Sequence, residues 1–61
     1  MAQITTKELG SLSDLMTMEE NLVMKYNQYA CESSDMALKG LYEQTAMKHQ
    51  RHLDHMVSNL K

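Results

Sequence analysis

Apolar residues recur at three- and four-residue steps along most of the chain. In the first half this spacing connects Leu9, Leu12, Leu15, Met16, Leu22, Val23, Tyr26, Tyr29 and Ala30. In the second half it continues through Leu38, Leu41, Tyr42, Thr45, Ala46, His49, His52, Leu53, Met56 and Leu60. A period near 3.6 residues places such positions on one face of an α-helix, whereas a strand alternates with a period of two. The pattern predicts an all-α fold with two amphipathic helices.

Polar residues mark where the predicted helices begin and end. Thr5 followed three residues later by Glu8 has the form of a capping box, in which each side chain satisfies a free backbone donor of the other. The segment 33–35, Ser-Ser-Asp, interrupts the apolar pattern, and such residues favour turns and helix starts. We therefore predict a first helix over about 6–32 and a second over about 36–60.

A turn of about three residues forces the two helices to run antiparallel, as a helical hairpin. With the turn centred near Ser34, residue n of the first helix lies opposite roughly residue 68 − n of the second. We predict that 1–61 form one such hairpin. Each apolar stripe is wider than one helix can cover, so we expect a second copy to complete a two-fold symmetric four-helix bundle. The prediction is a homodimer.

Composition limits the classes of function. A chain of 61 residues buries little surface and usually needs a disulfide, a metal or a partner chain. Cys31 is the only cysteine, which excludes a disulfide framework; we expect it to be a small, semi-buried side chain in a reducing compartment. The net charge of −2 argues against nucleic-acid binding. We see no signal peptide and no membrane span, and we expect a soluble, cytoplasmic protein.

Two glycines lie inside the predicted helices, where glycine costs about 1 kcal/mol relative to alanine. Gly10 and Gly40 have two interpretations. Each is either a tolerated weakness near a helix end or a point where a neighbouring helix approaches closely.

Two carboxylates fall on or beside the apolar stripe of the first helix. Glu19 points where the core should be, and Glu20 is the next candidate. The residues one turn from Glu19 are all apolar: Leu15, Met16, Leu22 and Val23. A buried carboxylate must be paired, hydrogen-bonded or bound to a cation, because an isolated buried charge is very unfavourable.

Three histidines at three-residue spacing lie in the stretch "KHQRHLDH" of the second helix. The period directs His49 and His52 inward and leaves His55 near solvent, and the hairpin register places His49 opposite Glu19. Imidazole and carboxylate are good ligands for zinc and for first-row transition metals such as iron and manganese. Glu19, Glu20, His49 and His52 are therefore candidate metal ligands. The alternatives are a hydrogen-bonded Glu–His pair that fixes the helix register, and outward-pointing side chains that do not meet.

Four segments of the chain resemble a known family. "ITTKEL", "MEENLVMKYNQYA", "SSDMALKGL" and "KHQRHLDHM" are similar to the coat-F-type spore coat proteins of endospore-forming bacteria, a branch of the ferritin-like superfamily. The resemblance extends from about Ile4 to Leu60. It implies a ferritin-like hairpin equal to half a bundle, and a non-enzymatic, structural role in the spore coat or in its assembly in the mother-cell cytoplasm. Other coat proteins are then expected partners.

The resemblance also bears on metal chemistry. Ferritin-like di-iron proteins carry, in each half, a Glu on one helix and a Glu-x-x-His on the next. Glu19 or Glu20 matches the first position, but Ala46 stands three residues before His49, and His49 three before His52. The resemblance therefore implies a degenerate or absent metal site without oxidase chemistry.

Two other functions remain open. The first is a metal-binding or redox ferritin-like protein that uses Glu19, His49 and His52 across a homodimer. The second is an adaptor that lends its apolar stripe to the helices of a different protein.

Overall fold

The protein is a hairpin of two α-helices. The computed structural model describes residues 4–60, in which α1 spans Thr6–Glu32 and α2 spans Met36–Asn59, with no strand between 4 and 60. The two helices pack against each other. This confirms the predicted all-α fold of two packed helices. Residues 1–3 and 61, which the predicted hairpin of 1–61 includes, lie outside the described range.

The start of α1 is fixed by the predicted capping box. Thr5 Oγ1 accepts a hydrogen bond from the backbone N–H of Glu8 at 3.1 Å, and Glu8 Oε1 accepts from the backbone N–H of Thr5 at 3.3 Å. The two side chains thereby satisfy donors that the first helical turn leaves free.

The connection between the helices is short because both of its ends are capped within three residues. The Ser33 N–H closes α1 by donating to the Tyr29 carbonyl at 3.0 Å. Asp35 then starts α2, since its Oδ1 accepts from the backbone N–H groups of Ala37 and Leu38 at 2.9 and 3.0 Å. Chain direction therefore reverses between Ser33 and Asp35.

Side-chain contacts between the helices show an antiparallel register. Glu19 meets His49, and the ring of Tyr26 lies 6.2 Å from that of Tyr42. Both pairs satisfy the predicted relation, since 19 + 49 and 26 + 42 each equal 68. The register of the hairpin therefore follows from the position of its turn.

The hairpin is a single layer with a narrow core. Its principal extents are 47 × 16 × 11 Å, and its buried hydrophobic residues within 4–60 are Ala30 and Ala46. The large hydrophobic residues that stay more than a third exposed are Leu9, Leu15, Met18, Met24, Tyr29, Met36, Leu38, Leu41, Met47, Val57 and Leu60. Two helices alone therefore leave much of the apolar stripe uncovered.

Three further sequence features can be located on the hairpin. A Cβ atom added at Gly10 or Gly40 would meet nothing within 4 Å, so α1 and α2 do not approach each other closely at either glycine. Cys31 is exposed, and the expectation of a semi-buried thiol is wrong because Cys31 lies on the side of α1 away from α2. Between residues 4 and 60, neither helix has a stretch long and apolar enough to cross a membrane.

Candidate metal centre

Glu19 is a buried carboxylate in the middle of α1. Its side chain is only 6% exposed, although most charged residues of the hairpin are exposed. Its neighbours one turn away on α1 are apolar, and two side chains of α2 lie against it from across the hairpin. Removing a carboxylate from water is costly, so its partners decide whether the position is tolerated.

Two histidines of α2 supply those partners. His49 Nδ1 lies 3.1 Å from Glu19 Oε2 and 3.3 Å from Oε1, and His52 Nδ1 lies 3.2 Å from Oε2. The histidines are three residues apart, so they lie on the same side of α2. Their exposure differs: the His49 side chain is 19% exposed and that of His52 is 47% exposed. The group is therefore buried at Glu19 and open at His52.

Hydrogen bonds within this group satisfy the buried carboxylate. Each Nδ1 donates to Glu19 when it carries a proton, either in the Nδ1–H tautomer or in the imidazolium. No buried side-chain nitrogen or oxygen in the described part of the chain lacks a partner. The three residues thus form a complete hydrogen-bonded cluster, and if either histidine is charged they also form an ion pair.

The same three residues could hold a metal ion. One ligand atom from each of Glu19, His49 and His52 can be chosen so that all three lie within 4.8 Å of one another. In a tetrahedral site with metal–ligand bonds of about 2.0–2.1 Å, adjacent ligand atoms are roughly 3.3 Å apart. The observed oxygen–nitrogen distances of 3.1–3.3 Å are close to that separation. The cluster could hold a metal ion if the imidazoles are deprotonated at Nδ1.

The remaining sequence candidates lie elsewhere. Glu20 is exposed and is not part of the cluster, because consecutive helical residues are about 100° apart and only one of them can face α2. His55 is exposed, in agreement with its predicted outward position. The structure therefore brings together Glu19, His49 and His52 of the predicted set.

A tyrosine that the sequence analysis did not connect with the histidines packs directly on one of them. The rings of Tyr26 and His49 are stacked, with centroids 6.2 Å apart and planes inclined by 13°. On its other edge His49 meets His52, whose ring is perpendicular to it at 5.5 Å. The signal was available, since Tyr26 follows Glu19 by seven residues and so lies on the same face of α1. The stacked ring restricts the orientation of the His49 imidazole.

Comparison of the chain with protein-family models, with curated proteins and with solved structures gives no match.

Proposed function

We propose that the protein is a self-associating structural protein whose hairpins pair into a two-fold symmetric four-helix bundle. The observation that carries this proposal is the single-layer architecture. Stable domains are built from at least two packed layers around a shared core. Here large hydrophobic side chains on both helices remain more than a third exposed, and the buried hydrophobic residues are two alanines. A second layer would cover the exposed side chains.

Helix geometry identifies the surface that pairs. On each helix, consider a residue that contacts the other helix. The residues three positions after it and four positions before it both lie on the same side of that contact, because each residue advances about 100° around the helix. In an antiparallel hairpin these two flanks lie on one broad face, which we call the open face. It consists of Leu15, Met18 and Leu22 on α1 and Leu41, Thr45 and His52 on α2. The most exposed apolar members are Leu41 at 57% and Met18 at 50%.

A second copy of the chain is the occupant that we propose for the open face. A two-fold axis presents the same apolar surface from both copies, so each stripe is covered by an identical one. The resulting four helices have the usual geometry of a helical bundle. The sequence resemblance to coat-F-type proteins supports a structural role in the spore coat, in contact with other coat proteins, after synthesis in the mother-cell cytoplasm. Ala46, buried where a ferritin-like protein has a metal-binding glutamate, supports a non-enzymatic role.

Sedimentation analysis of two matched variants tests this proposal. Leu41→Glu places a charge on the open face, whereas Met47→Glu places one at a similarly exposed residue on the outer side of α2. We expect the unmodified chain and Met47→Glu to be dimers at micromolar concentration, and Leu41→Glu to be a monomer. A stably folded monomer of the unmodified chain at that concentration would refute the proposal. A soluble complex formed only with a different helical protein would support the adaptor alternative instead.

A second candidate function is metal binding, which the convergence of Glu19, His49 and His52 favours. The ligands suit zinc, iron or manganese, with imidazole favouring zinc and iron. A homodimer would hold two such sites, and their redox chemistry would depend on the metal. The full carboxylate set of a di-iron centre is not present at these positions, since alanine occupies the residue three before His49.

Metal analysis of protein purified without chelators or an affinity tag tests the second candidate. We expect about one metal ion per chain, lost in His49→Ala and retained in His55→Ala. His55 is an appropriate control because it is the same residue type, three positions further along α2 and exposed. Metal-free protein that does not take up added zinc or cobalt would leave the cluster as a hydrogen-bonded group that fixes the helix register.

A further inference from the structure

All three tyrosines of the chain gather near the turn of the hairpin. The ring of Tyr29 lies 5.7 Å from that of Tyr26 and 5.6 Å from that of Tyr42, and Tyr26 lies 6.2 Å from Tyr42. Tyr26 is half-buried against His49, whereas Tyr29 remains 39% exposed. Tyr42 is half-buried as well, so Tyr29 is the most accessible of the three rings. We call Tyr29 and Tyr42 the outer pair, since they are the two rings nearest the turn.

The outer pair forms part of a shallow cavity. Tyr29 and Tyr42 line it together with Glu32 and Ser33, and its volume is about 210 Å³. The two ring planes are inclined at 55°, so the rings are not stacked in parallel. The cavity thus combines two aromatic rings with one carboxylate.

The electrostatics of this cavity favour a cation. The faces of tyrosine rings carry partial negative charge. Glu32 contributes a full negative charge; its Oε1 accepts one hydrogen bond, from Gln28 Nε2 at 2.9 Å. The last turn of α1 contains no basic residue. The rings and the carboxylate are therefore the two sources of negative potential at the cavity.

We propose that this cavity binds an alkylated ammonium group, such as a quaternary ammonium head. Such a group makes apolar contact with the rings through its methyl groups and is attracted to their faces and to the carboxylate. A hard divalent cation is a poorer match, since it requires several oxygen ligands and the cavity offers one carboxylate. An anion is disfavoured by the carboxylate. The proposal does not depend on the histidine cluster. Tyr29 lies three residues after Tyr26, on the flank of α1 that also carries Leu22, so the proposal requires that pairing of two copies leaves this end of the hairpin open to solvent.

Titration with tetramethylammonium chloride, followed by NMR of the tyrosine rings, tests the proposal. We expect saturable shifts of the Tyr29 and Tyr42 ring signals at millimolar concentrations, with sodium chloride as the control for ionic strength. Neopentyl alcohol, which has nearly the same shape and no charge, should give no saturable shift. Equal responses to the ammonium ion and to the alcohol would overturn the proposal, since they would indicate a merely apolar site.

Charge and ring variants separate the contributions. Glu32→Gln should weaken tetramethylammonium binding about three-fold or more, and Tyr42→Leu should do the same, while Tyr42→Phe should retain binding because it keeps the ring. Glu20→Gln is the matched control, since Glu20 is exposed on the same helix, about 18 Å from Glu32. Circular dichroism checks that each variant keeps its helices. Equal weakening of tetramethylammonium binding by Glu20→Gln and Glu32→Gln would overturn the proposal. It would show that the net charge of the protein, and not a contact with Glu32, determines the affinity.

Discussion

His49 Nδ1 lies 3.1 Å from Glu19 Oε2, although thirty positions separate the two residues in the chain. The contact joins the helices at the one buried charged residue in 4–60. A slip of the helices along each other would leave the Glu19 carboxylate among apolar groups without a donor, which is strongly unfavourable. The pair therefore selects one register of the hairpin. In coiled coils, a single buried polar residue likewise specifies the register of the helices.

Neutralising Glu19 should destabilise the hairpin. Glu19→Gln keeps the size of the side chain but replaces the charged acceptor shared by His49 and His52. We expect a loss of about 1.5–3 kcal/mol in the free energy of unfolding, the range for hydrogen bonds to charged groups. Urea unfolding followed by circular dichroism, at a fixed protein concentration, measures the loss.

The control for this prediction is Glu20→Gln, which removes the same charge from an exposed residue outside the cluster. Its effect should stay within about 0.5 kcal/mol, as is usual for surface substitutions. Equal destabilisation by the two variants would mean that overall charge, rather than the contacts of Glu19, determines the stability.

Metal binding by the cluster should weaken as the pH falls. Protons compete with a metal ion for the imidazole nitrogens, so a site built on His49 and His52 loses affinity when these residues are protonated. We expect zinc affinity to be lower at about pH 5 than at about pH 7.5, in the unmodified chain and in His55→Ala alike. Isothermal titration calorimetry at the two pH values measures the difference. Affinity that is the same at both would point to carboxylate ligands elsewhere on the chain.

Substituting alanine for Gly40 should stabilise the isolated hairpin. The position lies within α2, its backbone dihedral φ is negative, and an added Cβ meets only open space. Alanine is favoured over glycine in a helix by about 0.5–1 kcal/mol. Thermal unfolding of Gly40→Ala, with Gly10→Ala as a second example, measures the gain. A loss of stability that accompanies weaker self-association would instead identify Gly40 as a point of close approach between two copies.

Removing the cap of α2 should cost about 1 kcal/mol of stability, the typical value for an N-cap residue. Asp35→Ala deletes the oxygen that accepts from the backbone N–H groups of Ala37 and Leu38. Ser34→Ala, the control, changes an exposed neighbour in the same turn whose side chain makes no hydrogen bond within residues 4–60. Urea unfolding compares the two variants. If Ser34→Ala is as damaging as Asp35→Ala, then the conformation of the turn, and not the cap, starts the helix.

Local chemistry explains why the helices could be predicted from the sequence. The apolar period, the capping box of Thr5 and Glu8 and the polar turn are all short-range signals in the sequence. Because the connection has only three residues, the second helix must run antiparallel to the first. The position of the turn then fixes which residues face each other, which is why Glu19 could be assigned to His49. The relation 68 − n places His52 opposite Met16, yet the Nδ1 of His52 reaches Glu19 because both histidines lie on one side of α2.

Other parts of the candidate site depend on details that a periodic pattern does not contain. Periodicity left Glu20 beside Glu19 as a candidate, whereas the rotation of α1 about its axis directs only Glu19 toward α2. The stacking of Tyr26 on His49 depends on the rotamers of both rings. What covers the open face depends on a second molecule. The sequence of one chain therefore predicts how wide the apolar stripe is, but not which molecule binds to it.

The three-residue turn also imposes an order on folding. The number of positions between paired residues grows with their distance from the turn. Tyr26 and Tyr42 are 16 positions apart, and Glu19 and His49 are 30 positions apart. Closing the shorter loop costs less conformational entropy. We therefore expect the tyrosines to meet first and the hairpin to form from its turn toward its open end, with the Glu19–histidine cluster forming at the midpoint and stabilising the contacts already made.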